Sequence, residues 1–208
     1  KKQFKKINLL NFKFSSLFKT KYKPTHLILF AAESKPDVCF KDPKKTNKLN
    51  FSIPKKIILK CLSENITPVV FSSEFVSNGK IKNFSEKNKL NPILVYGKQK
   101  YNLENFVLKN KLPVLVLRLS KVYGDKQNDK TLLTSIIKDF QKKKLITVAK
   151  DQYFNPVYVD DVVKVINLLC SRKITGLFNL SGDRRYSRYQ IVKKIKYFFK
   201  FKKKIKSC

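Results

Sequence analysis

Three strand-length apolar runs, "THLILFAA" (25–32), "TPVVFSS" (67–73) and "LPVLVLRLS" (112–120), alternate with stretches of helical spacing. That alternation limits the fold more than any other feature of the chain. Each run is continuous rather than every-other-residue, as a strand buried on both faces requires. Between the first and second, a polar loop, "ESKPDVCFKDPKKTNKLNFS", passes into a helix whose Ile57, Ile58, Cys61 and Leu62 repeat at helical spacing. Between the second and third lie a loop with an Asn-Gly turn at 78–79 and a helix that carries Tyr96 and runs to about Asn110. Units of this length imply right-handed crossovers, so the predicted fold is α/β, a Rossmann-like doubly wound parallel sheet.

After "KVYGDKQND" the order loosens. The pattern predicts a helix over 131–143, the short apolar "LITVA", a "DQYFNPVYV" segment and a helix "DDVVKVINLLCS". A last strand, "GLFNLSG", and a last helix, "SRYQIVKKIKYFF", opened by Ser187 as its cap, follow. The tail "KFKKKIKSC" reads as a frayed charge run. The expected division is a strand–helix part over 1–124 and a small mixed α+β region over 125–208.

At 208 residues, 42% hydrophobic with seventeen Phe and nine Tyr, the chain is long and apolar enough to bury a core. Its net charge of +33 raises nucleic acid as a partner. Against that, the basic residues run through every segment, and only five of the 47 are Arg, the better phosphate reader. Abundant Lys, Asn, Ile and Phe are what an A+T-rich coding sequence yields, so solvated lysine is the preferred reading. No apolar run approaches the roughly 18–20 residues that span a bilayer. The start, "KKQFKKINLLNFKF", lacks an apolar h-region and cleavage site, which makes the cytoplasm the expected location. Cys39, Cys61, Cys170 and Cys208 form no Cys-x-x-Cys pair and His26 is the sole histidine. No metal or disulfide pattern emerges, reduced buried thiols are expected, and His26 reads as structural.

Ligands of a doubly wound sheet sit at the carboxyl ends of its strands. Ala31 and Ala32, Ser72 and Ser73, and Arg118 through Gly124 ("RLSKVYG") fall there. Tyr96 and Lys100, in "NPILVYGKQKYNLE", open the helix after the serine-tipped strand and share one helix face. In so lysine-rich a chain the spacing alone is weak, and Tyr189 with Lys193 repeats it on the last helix, where no serine-tipped strand precedes it. That second pair reads as packing. For the first, an ammonium one turn from a phenol is expected to pull the phenol toward the working pH, while Ser73 holds a substrate oxygen.

Taken together, "LFAAESKPDVCFKDP", "VVFSSEFVSNG", "NPILVYGKQKYNLE", "LRLSKVYG", "FNPVYVDDVVKVI" and "GLFNLSGDRRYSRYQI" resemble an extended short-chain dehydrogenase/reductase over about residues 9–199. More narrowly they are similar to the dTDP-4-dehydrorhamnose reductase branch, a sugar-nucleotide-binding group that includes the regulatory beta subunit of methionine adenosyltransferase. The resemblance implies a catalytic Ser73, Tyr96 and Lys100, and an NAD(P)H cofactor contacted by Ala31, Ala32, Tyr96 and Lys100. It implies an NAD(P)-dependent reductase of a nucleotide-linked 4-keto sugar, serving cell-surface polysaccharide precursors, with a homodimer as a possible assembly. Epimerase or dehydratase chemistry and a non-catalytic regulatory subunit are the alternatives. Glu74 and Phe75 stand where the family has an acidic-aromatic pair, with Phe75 lacking a tyrosine hydroxyl. The segment around Asn155, Pro156 and Val157 matches the start of the family's substrate-binding region. The family's opening Gly-x-x-Gly-x-x-Gly turn has no counterpart here, since the five glycines begin at Gly79. The start of the chain resembles the family's third strand instead, which implies a fragment of a longer gene or a decayed copy and leaves the strand at 25–32 with an exposed apolar edge.

Overall fold

A computed structural model describes residues 7–11, 24–80, 84–126, 129, 131–142 and 145–208. Most of the stretch expected to resemble a third strand lies outside these, and Leu9–Asn11 form a single 3-10 turn. The chain divides into two units: one runs to Arg118 and regains Lys173–Asn179, the other comprises Leu119–Arg172 and Leu180–Cys208. The segment 173–179, assigned by sequence to the second region, thus belongs with the first.

In chain order the first unit carries β1 (His26–Leu29), α1 (Pro36–Lys41), α2 (Pro43–Asn47), a π turn (Lys48–Ser52), α3 (Ile53–Ser63), β2 (Thr67–Ser73), α4 (Val95–Lys109) and β3 (Leu115–Leu119). The second holds β4 (Val122–Tyr123), α5 (Leu132–Lys142), β5 (Leu145–Val148), β6 (Tyr153–Phe154), β7 (Val157–Tyr158) and α6 (Val159–Ser171). Then come β8 (Gly176–Leu180), β9 (Tyr186–Ser187), α7 (Arg188–Phe198) and β10 (Lys204–Ser207).

Four strands form the main sheet in the order β1-β2-β3-β8, with β1 parallel to β2 from His26 opposite Thr67 to Leu29 opposite Val70. Every residue of β2 from Pro68 to Ser73, and of β3 from Leu115 to Arg118, is buried. Continuous burial of both parities is the mark of a strand covered on two faces, and it explains why these runs show no alternation. Ile58 of α3, Leu103 and Val107 of α4, Val70 and Val116 form one apolar cluster against the sheet. Each such side chain removed from water contributes roughly 1.5–3 kcal/mol. Among the described residues β1 stands at the sheet edge, with Ile28 and Phe30 exposed. Phe30 stacks on Phe71, ring centroids 4.4 Å apart.

The stretch 33–52, expected as a loop, is mostly helical. Pro36 and Pro43 each sit in a helix's first turn, where the missing N–H costs nothing. Asp42 caps α2 by accepting the Lys45 N–H at 3.0 Å. In the second unit, Ser187 caps α7 as expected and forms a full capping box with Gln190. The tail is a correction: instead of fraying, β10 pairs in parallel with β5, Lys204 opposite Leu145 through Ser207 opposite Val148. Ile205 and Phe201 pack against the cluster of Phe140, Ile146, Val192 and Ile195, so two apolar residues anchor an otherwise charged run. "GLFNLSG" is therefore not the last strand. Cys39 and Cys61 are buried thiols, whereas Cys170 is half-buried and Cys208 exposed, against the expectation that all are buried.

Candidate active site

Ser73 ends β2, and its hydroxyl accepts the Phe75 N–H at 3.3 Å, capping the 3-10 turn Glu74–Val76. The same hydroxyl, at the strand tip, faces the Tyr96 phenol and favours its charged form. Tyr96 lies in the first turn of α4, buried, its ring meeting Phe75 edge-on at 6.1 Å. One turn further, Lys100 is buried with its Nζ 5.8 Å from the centre of the Tyr96 ring. The fold thus brings the three residues singled out by sequence into one small volume inside the first unit.

Their electrostatics differ from the sequence-based expectation in one respect. Burial pushes the Tyr96 phenol up to about 12, and the Ser73 hydroxyl beside it offsets only part of that. Lys100 is itself drawn down to about 8 by burial, and its ammonium donates to the Phe71 carbonyl at 2.9 Å rather than to the phenol. The expected lowering of Tyr96 by Lys100 is absent. Desolvation disfavours whichever form is charged, phenolate and ammonium alike, and here it outweighs their mutual attraction. A phenol held neutral is a proton donor, and a lysine that titrates near 8 carries its charge at neutral pH.

Two further features were not singled out in the sequence. Glu104 follows Lys100 by one more turn on the same face of α4 and is buried with Arg118 of β3. Arg118 grips it with two parallel bonds, Nε to Oε1 at 3.0 Å and Nη2 to Oε2 at 2.8 Å, and lies 5.2 Å over the Phe84 ring. The bidentate geometry is what makes so buried a pair tolerable. Its signal was an acidic residue in phase with Tyr96 and Lys100 on an otherwise apolar face. The second is Gly97: a Cβ there would collide with the Phe75 carbonyl oxygen. Only glycine lets α4 approach the segment after Ser73, and a glycine inside a helix pattern is the sequence sign of such an approach.

Ala31 and Ala32 lie in extended chain just past β1, small and exposed. Within the second unit, Asn155 and Gly182 clasp each other, Gly182 N–H to the Asn155 carbonyl at 3.2 Å and Asn155 Nδ2 to the Gly182 carbonyl at 3.3 Å. Val157 enters β7 beside β4. Tyr189 and Lys193 are packing residues, as read from sequence: Tyr189 lies against the second unit's core and Lys193 rests 4.8 Å from its ring centre.

A parallel-stranded α/β sheet with a serine-tipped strand facing a tyrosine–lysine helix is the frame of the extended short-chain dehydrogenase/reductases. Within them the chain belongs to the RmlD substrate binding domain family, whose pattern it matches over residues 5–208. It is 27% identical over 197 residues to the methionine adenosyltransferase 2 subunit beta of Bos taurus, covering 91% of this chain and 59% of that one. The chain therefore spans somewhat over half the length of such relatives. Among solved structures, a hypothetical dTDP-4-dehydrorhamnose reductase from Sulfolobus tokodaii superposes with a TM-score of 0.86 at 25% identity, over 98% of this chain and 72% of that one. A dTDP-4-dehydrorhamnose reductase from Bacillus anthracis, solved in complex with NADP, superposes at 0.81 and 25% identity, over 89% and 66%.

Proposed function

We propose that the protein is an NAD(P)H-dependent reductase of a nucleotide-linked 4-keto sugar. The observation that carries this reading is the buried convergence of the Ser73 hydroxyl, the Tyr96 phenol and the Lys100 ammonium at the end of β2. The matched reductases, one of them solved with NADP, support the cofactor class. The residues present fit the nicotinamide–ribose end of such a cofactor. The methyl side chains of Ala31 and Ala32 leave room past β1, and Lys100 gives one of its three N–H donors to Phe71, with ribose hydroxyls as suitable acceptors for the rest.

When bound, the reduced nicotinamide would supply a hydride to the keto carbon. As that C–H bond forms, the carbonyl π pair moves to oxygen and Tyr96 gives its proton to that oxygen. Ser73 orients the same oxygen by hydrogen bonding. The phenolate left behind shares its helix face with the Lys100 ammonium, whose Nζ lies 5.8 Å from the centre of the Tyr96 ring and whose opposite charge favours it. Neutral Tyr96 and charged Lys100 are the starting forms this requires, and both hold at pH 7.

The test is to mix the protein with NADPH or NADH and a dTDP-linked 4-keto sugar and follow loss of the reduced nicotinamide. Consumption that tracks sugar reduction supports the reading. A product formed without net consumption marks an epimerase or dehydratase instead. A second reading, a non-catalytic regulatory subunit, is favoured by the match to methionine adenosyltransferase beta subunits and by Phe75, which carries no hydroxyl. It predicts no turnover with any nucleotide-linked keto sugar, and tight association with a methionine adenosyltransferase catalytic subunit.

A further inference from the structure

α7 buries Ile191, Val192 and Ile195 in the second unit's core, yet its last residues face water. Tyr197, Phe198 and Phe199 are 80%, 74% and 56% exposed. Single exposed apolar side chains are ordinary, whereas a contiguous group marks a surface that meets something. Nor is this a frayed end. Lys200 takes a left-handed φ of 53°, and the N–H groups of Phe201 and Lys200 return to the carbonyls of Lys196 and Tyr197 at 3.0 and 3.2 Å. That closes a Schellman turn without the usual glycine. Phe201 then stacks on the buried Phe140 at 4.8 Å and on Phe199 at 5.8 Å, which anchors the turn in the core.

The surroundings carry one sign of charge. From Lys193 to Lys206, eight of the fourteen residues are Lys and none is acidic. Lys193, Lys196, Tyr197, Phe198, Lys200 and Phe201 line an open groove of about 670 Å³. A second copy seated here would set lysine against lysine. Nucleic-acid bases stack on free ring faces, but Tyr197 meets Phe198 at 76° and Phe199 already lies against Phe201. Protruding ring edges among ammonium groups suit a bilayer surface instead, with the rings at headgroup level and the lysines on anionic phosphates. No helix among the described residues is long and apolar enough to cross a membrane, and contact of this kind needs none.

We propose that the end of α7 and the turn after it form an interfacial docking surface for bilayers bearing anionic phospholipid. The surface shares no residue with Ser73, Tyr96 and Lys100, so it stands or falls apart from the reductase reading.

The experiment is flotation of the whole chain with vesicles of phosphatidylcholine containing about one-third phosphatidylserine, beside vesicles of phosphatidylcholine alone. The wild type is expected to float with the first and not with the second. Tyr197→Ser with Phe198→Ser should bind about tenfold more weakly, the scale of one ring's lost apolar contact. Lys196→Ala with Lys200→Gly should weaken binding by a similar factor, glycine being suited to the left-handed turn. α4 ends in the same kind of turn, with Lys111 at φ 48° and the Leu112 N–H returning to the Val107 carbonyl at 3.0 Å, but without exposed rings. Lys109→Ala with Lys111→Gly removes equal charge there and should leave flotation within about twofold. The chain has no Trp, so Phe198→Trp reports the patch alone. Its emission should move to shorter wavelength on the anionic vesicles and stay unchanged with inorganic phosphate. A wild type that does not float with the anionic vesicles overturns the proposal. So does flotation that survives the ring substitutions, or that the α4 pair weakens as much as the α7 pair, since charge alone then accounts for it. An emission shift with phosphate, tighter ring-dependent binding of single-stranded RNA, or a dimer that the ring substitutions dissolve each gives the surface another occupant and overturns it. Should the ring variant fail to fold, the two lysine pairs and the tryptophan shift decide.

Discussion

The chain contains the same five-residue spacing twice, Tyr96 with Lys100 on α4 and Tyr189 with Lys193 on α7, and the two have opposite fates. On α4 both side chains are buried, a serine hydroxyl meets the phenol, and a buried carboxylate follows one turn on. On α7 the lysine is exposed and lies along the tyrosine ring, covering apolar surface with its stem. Spacing places a phenol and an ammonium on one helix face; burial and a third group are what set the first pair apart. The difference lies in what the helix is packed against, β2 with its serine tip in one case and an apolar cluster in the other.

Several substitutions sharpen or break that contrast. Tyr96→Phe should lower turnover about 10²- to 10⁴-fold, the usual worth of a general acid, while Tyr189→Phe leaves steady-state turnover within about twofold. Glu104→Ala strands the Arg118 guanidinium in the interior and should cost about 3–5 kcal/mol in chemical denaturation. Lys193→Ala on the exposed helix should stay within about 0.5 kcal/mol of wild type.

Lys100 gives a pH-dependent form of the test. Its folded pKa of about 8 lies below its ordinary value of 10.5, so between these limits the unfolded chain binds more protons than the folded one. The stability of the wild type relative to Lys100→Met should therefore rise as pH goes from 8 to 10, by up to about 2 kcal/mol. The comparison removes the groups that pull the other way in both proteins, the Cys39, Cys61 and Cys170 thiols pushed up by burial and Tyr96 pushed up to about 12. Turnover should fall over the same range as the ammonium is lost. Ser187→Ala removes the α7 cap, at about 1 kcal/mol of stability and no change in turnover.

Much of this was readable before any coordinates. The three strands, the helix with Tyr96 and the order of serine, tyrosine and lysine are local patterns, and local patterns survive in sequence, although β1, read as buried on both faces, is only half-buried with Ile28 exposed. What was not readable depends on distant partners. Asn50 reaches Glu33 and Gln99, 17 and 49 residues away, and Arg118 reaches Glu104 across 14. The direction of the Tyr96 shift was misjudged because charge proximity can be read from spacing, whereas depth of burial cannot. The tail was misread because Ile205 and Phe201 find apolar neighbours on α5, α7 and β5 that no local composition announces.

The central claim is that the Ser73 hydroxyl and the Tyr96 phenol act on one oxygen atom. A double-mutant cycle on turnover, Ser73→Ala with Tyr96→Phe, measures this directly. The account predicts that the double variant is scarcely slower than Tyr96→Phe alone. Losses that multiply would show two groups working independently, and would contradict it.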